Sequence, residues 1–96
     1  MSHCCPKKLI KFFKSVCDEQ RQEILSLLRE KGELNVSDIV KKMKLSQPTV
    51  SHHLKILCDA EVISVNKKGK ERFYSLSEKH VNSCCMNFMD WFSKKK

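Results

Sequence analysis

The chain has 96 residues, 19 lysines and arginines against 11 aspartates and glutamates, and a formal net charge of +8 at pH 7. This length corresponds to one domain with a modest core, so dimerisation is an expected source of further stability. The excess positive charge favours a polyanion or an acidic surface as partner. No stretch is apolar for long enough to predict a membrane span or a secretion signal, so we expect a cytoplasmic protein.

Four helices are predicted before any strand, and the first three precede residue 46. Apolar residues recur at the i, i+3, i+4, i+7 spacing of a helix from Pro6 to about Val16. Asp18 is placed to cap a second helix that continues to about Glu30, and Gly32 favours its end. Asn35 then caps a short third helix whose apolar residues extend to Met43, and a tight turn follows it.

The fourth predicted helix, Ser46 to Leu57 (SQPTVSHHLKIL), carries the most information about function. Ser46 is a favourable N-cap, and a proline in the first turn costs no hydrogen bond. Val50, Leu54 and Leu57 fall on one side at roughly 100° per residue and form a narrow apolar stripe. The opposite side carries side chains that suit base edges and phosphates: Gln47, Ser51, His52 and Lys55.

A β-hairpin and a last helix complete the predicted elements. The β-rich segments Val62–Asn66 and Arg72–Leu76 flank Lys67-Lys68-Gly69-Lys70-Glu71, a loop whose glycine favours a turn. Ser77 is placed to cap a helix that continues to about Ser93. The expected order is therefore α-α-α-α-β-β-α, a mainly α winged helix-turn-helix with a small hairpin. We expect a single domain over residues 1–96, in which residues 1–6 form a flexible tail.

Four segments together resemble one known family. They are DEQRQEILSLL (Asp18–Leu28), ELNVSDI (Glu33–Ile39), SQPTVSHHLKIL and the later KGKERFYSL. Together with the Ser-x-His-Leu run at Ser51, His53 and Leu54, they resemble the arsenic-repressor/metallothionein-repressor (ArsR/SmtB) family over roughly residues 9 to 92. The resemblance implies a homodimeric repressor that binds a palindromic operator and leaves it when an inducer binds.

We expect DNA contacts from the fourth helix and the hairpin. Gln47 can hydrogen-bond adenine in the major groove, and Ser51 can bond any base edge or a phosphate. Thr49 lies further round the helix but close enough to its start to reach a phosphate. His53 borders the apolar stripe, so a packed histidine remains an equal alternative for it. The full predicted set is Gln47, Thr49, Ser51, His52, His53, Lys55, Lys67, Lys68, Lys70 and Arg72.

Aromatic residues at both ends of the chain predict the dimer face, which would use the first and last helices. The alternative is that they fill the core of one protomer. A symmetric dimer would place its two recognition helices about 34 Å apart, one turn of DNA. The residues concerned are Phe12, Phe13, Phe88, Trp91 and Phe92.

The six cysteines are interpreted as free thiols in a reducing compartment, because the sequence predicts no export signal. Cys4 and Cys5 precede the first helix, and Cys84 and Cys85 are adjacent on the last. Across a dimer these two pairs could meet and bind arsenite, Cd(II), Zn(II) or Cu(I) as inducer, since thiolates suit soft ions. The fold itself requires no cofactor. For Cys84 and Cys85 the alternative is packing as small apolar residues.

At several positions this sequence lacks the metal ligands of the family that it resembles, which reduces the number of candidate inducer sites. Asn35 and Ser37 occupy positions where many members carry Cys-x-Cys, so that site is absent. Glu78 and His80 match half of a zinc site, but Trp91 and Lys94 occupy its other half, so we expect His80 to cap or pack.

A thiol-redox sensor of persulfide or oxidants is the second hypothesis. The resemblance implies a cysteine on the second helix for such a sensor, but Ser26 stands there, although Cys17 lies nearby. Cys58 is expected in the core, and the role of Cys17 is left open. A constitutive DNA-binding protein, a thiol enzyme or metal carrier, and an interaction module without a DNA target are further alternatives. The polar face of the fourth helix argues against the last, and the lack of a base beside a placed thiol argues against an enzyme.

Overall fold

A computed structural model describes residues 6–93, apart from the side chains of Pro6, Trp91 and Phe92. The predicted tail with Cys4 and Cys5, and Lys94, lie outside the described residues. The elements are α1 Pro6–Val16, α2 Glu19–Lys31, β1 Glu33–Asn35, α3 Val36–Met43, α4 Gln47–Asp59, β2 Ile63–Lys68, β3 Glu71–Leu76 and α5 Glu78–Ser93. The five predicted helices are confirmed, as is the winged helix-turn-helix arrangement.

Side-chain caps set the starts of three helices, as the sequence predicts. The carboxylate of Asp18 accepts a hydrogen bond from the backbone N–H of Arg21 (3.0 Å) at the start of α2. Asn35 Oδ1 accepts from the N–H of Asp38 (2.8 Å) at α3, and Ser46 Oγ accepts from the following turn at α4. Each bond satisfies a backbone donor that the helix itself leaves unpaired.

The sheet has three strands rather than the predicted two. β1 pairs antiparallel with β3, whose other edge pairs antiparallel with β2, so the strand order is β1-β3-β2. Leu34, at the centre of β1, is buried opposite Tyr74. Three residues are too few to show an alternating pattern, which is why the sequence did not reveal this strand. The third strand attaches the hairpin to the helices.

The hairpin is tighter than predicted. Lys67 pairs with Arg72 and Lys68 with Glu71, so the turn consists of Gly69 and Lys70 rather than a five-residue loop. Gly69 has φ +64, a left-handed conformation that glycine adopts without steric cost. Lys67, Lys68 and Arg72 therefore project from paired strands, and Lys70 lies in the turn.

The core lies where α2, α3 and α4 meet the sheet. The predicted stripe of α4 is confirmed, because Val50, Leu54 and Leu57 are at most 1% exposed. Ile24 and Ile39 contribute from α2 and α3. No helix within residues 6–93 combines the length and apolar character that crossing a bilayer requires.

Candidate nucleic-acid interface

The helix-turn-helix consists of α3, a tight turn and α4. Lys44 closes α3 with φ 57 and ψ 38, a left-handed conformation, and its N–H donates to the carbonyl of Val40. The Ser46 hydroxyl donates to Thr49 Oγ1 (2.9 Å) and accepts from the N–H of the same residue (3.4 Å). These contacts fix the start of α4 relative to α3, so the hydroxyl of Thr49 belongs to the cap although the residue is exposed.

One flank of α4 is hydrophilic and uncovered within the protomer. Ser51, one of its central residues, is exposed about 90° round the helix from the buried apolar stripe. Lys55 Nζ lies 3.4 Å from Asp59 Oδ2 in an exposed i,i+4 pair, which stabilises little and can exchange for a phosphate. The members of this flank, here called the reading flank, are Gln47, Ser51, His52 and Lys55.

His53 does not belong to the reading flank, which corrects its inclusion in the DNA-binding set. His53 is only 8% exposed, and both nitrogens of its ring contact residues of α2. Nδ1 lies 3.2 Å from Arg21 Nη1, and Nε2 lies 2.8 Å from Gln20 Oε1. The ring is therefore packed at the border of the apolar stripe, which is the alternative that its position on the helix had left open.

Arg21 joins three elements at this point. Its Nε donates to the carbonyl of Ser15 (2.6 Å) and its Nη2 to that of Lys14 (3.4 Å), both near the end of α1. The guanidinium can only donate, so His53 Nδ1 accepts and Nε2–H donates to Gln20. Sequence reasoning missed Arg21 and Gln20, because neither spacing nor residue type distinguishes them from solvated residues of α2.

Charge and burial favour the neutral form of the His53 ring. Burial lowers the pKa of His53 below its ordinary value of 6.5. The charge of Asp18 opposes this effect, whereas Arg21 and His52 add to it. The hydrogen bond from Arg21 therefore meets an unprotonated nitrogen at neutral pH, and the recognition helix is held to α2 by a neutral ring.

The predicted basic residues of the hairpin are all exposed, but they differ in their partners. Lys68 Nζ donates to Glu33 Oε1 (2.8 Å) and lies 5.1 Å from the centre of the Phe73 ring. Among residues 6–93, Lys67, Lys70 and Arg72 form no ion pair. Their charges are accordingly available to a polyanion, whereas that of Lys68 is partly neutralised by β1.

The adjacent thiols of α5 face different surroundings. Cys84 is fully buried, and its Sγ lies 3.5 Å from Nε2 of His80, whose Nδ1 lies 3.7 Å from Glu61 Oε1. Cys85 is exposed and borders an apolar hollow of about 550 Å³ between α1, α2 and α5, where Ser26 also lies. Since successive helical residues are about 100° apart, the two thiols cannot face one ion without rearrangement.

The described residues alone do not assemble the predicted metal site. Within residues 6–93, no group of three or more His, Cys, Asp or Glu side chains could hold a metal ion. Cys4 and Cys5, the other predicted ligands, lie outside the described residues. Burial raises the pKa of the half-buried Cys58 thiol, which makes it less reactive and agrees with packing against the core. Cys17 is exposed.

The aromatic residues of the two terminal helices divide between core and surface. Phe12 is 4% exposed, so it belongs to the protomer core and not to the predicted dimer face. Phe13 links the two helices by an edge-to-face contact with Phe88, with ring centres 5.1 Å apart. The side chains of Trp91 and Phe92 lie outside the described set. Large apolar side chains remain exposed along α1 and α5, namely Ile10, Met86, Phe88 and Met89.

Comparisons with known proteins agree with this geometry. The sequence pattern of the family described as "Bacterial regulatory protein, arsR family" matches residues 18–65, which contain α2, α3 and α4. The transcriptional repressor SdpR of Bacillus subtilis is 45% identical over 65 residues, 68% of this chain and 71% of that protein. An arsenical resistance operon repressor of Staphylococcus aureus is 37% identical over 81 residues, 84% of this chain and 77% of that one.

A solved structure has the same fold. An ArsR-like transcriptional regulator from Rhodococcus sp. RHA1 superposes with a TM-score of 0.83 at 22% identity, over 91% of this chain and 81% of that chain. At this identity the likeness concerns the fold alone. It covers α1 and α5 as well as the helix-turn-helix, because the superposed share extends well beyond the segment that the family pattern matches.

Proposed function

This chain belongs to the arsR family of bacterial regulatory proteins, and from that premise we propose that it is a homodimeric repressor released from a palindromic operator by an inducer. The family consists of transcriptional regulators, not enzymes. The proposed site of action is the cytoplasm, where a regulator meets its DNA.

The observation that carries this proposal is the reading flank. A helix whose apolar stripe is buried and whose polar side presents Gln47, Ser51 and His52 offers donors and acceptors that suit base edges. Three basic hairpin residues without ion pairs in the described chain supply charge for the adjacent backbone. A module that binds only proteins would not need this combination of short polar groups and basic charge.

Dimerisation through α1 and α5 is supported by the apolar side chains left uncovered there. Ile10, Met86 and Met89 are 57%, 68% and 63% exposed, an arrangement that costs free energy in a lone protomer. A two-fold dimer through this face presents two copies of α4 to DNA. The operator is then expected to carry two half-sites with centres about 10 base pairs apart.

For the inducer we propose a thiol-binding species, arsenite or a soft metal ion such as Cd(II), Zn(II) or Cu(I). Support comes from the exposed thiol of Cys85 beside the hollow, from the soft character of thiolates, and from the relative in Staphylococcus aureus named for arsenical resistance. Cys85 would bind together with Cys84 and with Cys4 and Cys5 of the other protomer. Cys84 must leave its contact with His80 to take part, so ligand binding would move α5 and the dimer face.

The experiment is a selection of duplexes from a random library, followed by titration of the enriched sequence. We expect a palindromic motif with half-sites about 10 base pairs apart, and affinity that falls steeply as salt rises. Arsenite, Cd(II), Zn(II) or Cu(I) should then weaken binding, and Cys84→Ser/Cys85→Ser should abolish that response. Failure to enrich any motif would contradict the proposal of an operator-binding protein.

An oxidant arm of the same titration tests the redox alternative. If an oxidant or a persulfide, rather than arsenite or a metal ion, releases DNA and Cys85→Ser removes that effect, the inducer proposal is wrong and the redox hypothesis takes its place. Ser26, not a cysteine, borders the hollow with Cys85, so a thiol partner would have to come from another position.

A further inference from the structure

The outer side of α1 carries a strip of lysines that belongs neither to the helix-turn-helix nor to the hairpin. Lys7, Lys11 and Lys14 fall within about 60° of one another around the helix, at roughly 100° per residue. All three are exposed, and the helix, PKKLIKFFKSV, contains no acidic residue to offset them. These three residues are called the α1 lysine strip below.

Contacts along α1 show that it is antiparallel to α4. Near the start of α1, Lys8 Nζ lies 3.8 Å from Oε2 of Glu61, which follows the end of α4. Near its end, the carbonyl of Ser15 is joined through Arg21 to His53, in the middle of α4. From the start of α1 to its end, these contacts move from the residue after α4 to the middle of α4, so the end of α1 lies beside the middle of the recognition helix.

A shallow cleft between these two contacts shows which side of α4 the strip adjoins. Lys11 and Lys14 line it together with Ile56 and Asp59 of α4. Ile56 and Asp59 lie four and seven residues after His52, so the three residues share one side of the helix. His52, a member of the reading flank, is therefore one turn before Ile56 on the same side, and the contacts along α1 place Lys14 closer to it than Lys7.

We propose that the α1 lysine strip is a second phosphate-binding surface, which contacts the DNA backbone beside the groove that α4 reads. The inference rests on the proposed function and extends its DNA footprint to an element outside the helix-turn-helix. A lysine ammonium binds phosphate as a compact charge without a fixed geometry, which suits residues on a straight helix. Asp59, the acidic residue of the cleft, pairs with Lys55 in the free protein. Within the strip, Lys14 contributes most to binding of the DNA backbone and Lys7 contributes least.

The test is the salt dependence of affinity for one selected duplex, measured by fluorescence anisotropy between about 50 and 200 mM salt. Each phosphate contact adds about 0.9 to the slope of log affinity against log salt, and a dimer carries two copies. Lys14→Gln should therefore lower the slope by about 2 and weaken binding about tenfold or more, equally for different sequences. Lys11→Gln should lower the slope less than Lys14→Gln does, and Lys7→Gln should lower it least. Lys14→Arg keeps the charge and should retain the wild-type slope.

Lys79→Gln is the matched control, because Lys79 is an exposed lysine of α5 and not of the α1 strip. It removes the same charge and should leave the slope unchanged. A wild-type slope in Lys14→Gln and Lys11→Gln would overturn the strip proposal and leave the proposed function intact. An equal loss in Lys79→Gln would also overturn it, since net charge and not position would then be responsible. Absence of any salt-dependent DNA binding by the wild type would contradict the proposed function itself.

Discussion

Ser51 and Gln47 are exposed residues whose side chains are available to hydrogen-bond base edges. Ser51→Ala or Gln47→Ala should weaken specific operator binding by about 1–3 kcal/mol, because each removes a base contact and leaves the core unchanged. Anisotropy titration with the selected duplex measures the loss, and thermal unfolding checks that the fold is kept. Unchanged affinity in both variants would remove α4 from base readout.

His53 gives the fold a pH dependence whose sign follows from its lowered pKa. In the unfolded chain the ring titrates near 6.5, and in the folded chain at a lower pH. Between these two values the unfolded state binds more protons. The contribution of the neutral ring to the free energy of unfolding is therefore complete above about pH 6.5 and decreases as the pH falls toward the folded pKa.

Urea unfolding of wild type and His53→Gln between about pH 5 and 8 measures this contribution, because glutamine offers an acceptor and a donor but does not titrate in that range. The wild type should lose stability below about pH 6.5 relative to the variant. Asp18 does not interfere, since its lowered pKa acts below 3.8. Parallel curves for the two proteins would show that His53 is not held neutral by its surroundings.

The sequence predicts the buried residues of α4 better than the border residues. Val50, Leu54 and Leu57 follow from helical periodicity, which depends on the chain's own spacing alone. His53 was ambiguous because its position on the helix suits both core and surface. Its environment is decided by Arg21, 32 positions earlier in the chain, and such a long-range hydrogen bond leaves no local pattern.

At the scale of elements, the turn between α3 and α4 sets the angle of the recognition helix. Lys44 adopts φ 57 there, a conformation that costs a residue with a Cβ about 1–2 kcal/mol. Lys44→Gly should therefore raise the free energy of unfolding by about 0.5–1 kcal/mol, after the extra entropy of glycine in the unfolded chain is subtracted. Chemical denaturation measures the change.

Lys41→Gly supplies the control for this prediction, since Lys41 has a helical conformation within α3. Glycine there should lower stability by about 0.5–1 kcal/mol. A loss of stability in both variants would mean that the turn is not strained by its lysine.

The helices and the hairpin were predictable as elements, but the strand pairing that connects them was not. Caps at Asp18, Asn35 and Ser46 mark helix starts with local chemistry, and the structure retains all three. β1 was not predicted, because its three residues become a strand only by pairing with β3, which lies some forty residues later in the chain. The pairing of β2 with β3 sets the register of the hairpin turn, which the glycine alone located only approximately.

At the scale of the whole molecule, dimerisation through α1 and α5 has a direct test. Met89→Glu should weaken self-association at least about tenfold, because it places an unpaired charge on the exposed apolar surface of α5. Sedimentation equilibrium measures the association constant. Val65→Glu is the matched control, since Val65 is a 48% exposed apolar residue of β2, away from that surface. Equal association of both variants and the wild type would place the interface elsewhere.

The response to an inducer could be predicted from the sequence only as a chemical class. Cysteine identity predicts soft ligands, but accessibility depends on packing, which buries Cys84 and exposes Cys85 on the same helix. If the inducer acts through α5, its signal must travel from the dimer face to α4. The contacts of Arg21 with α1 and with His53 supply a continuous connection for that movement.

The central claim, that the hydrophilic side of α4 receives DNA, is tested most directly by mapping amide chemical shifts of ¹⁵N-labelled protein on addition of the selected duplex. We expect the largest changes over residues 46–56 and 66–72, with smaller ones at residues 11–14. Changes confined to other surfaces, with residues 46–56 unaffected at saturation, would contradict the claim.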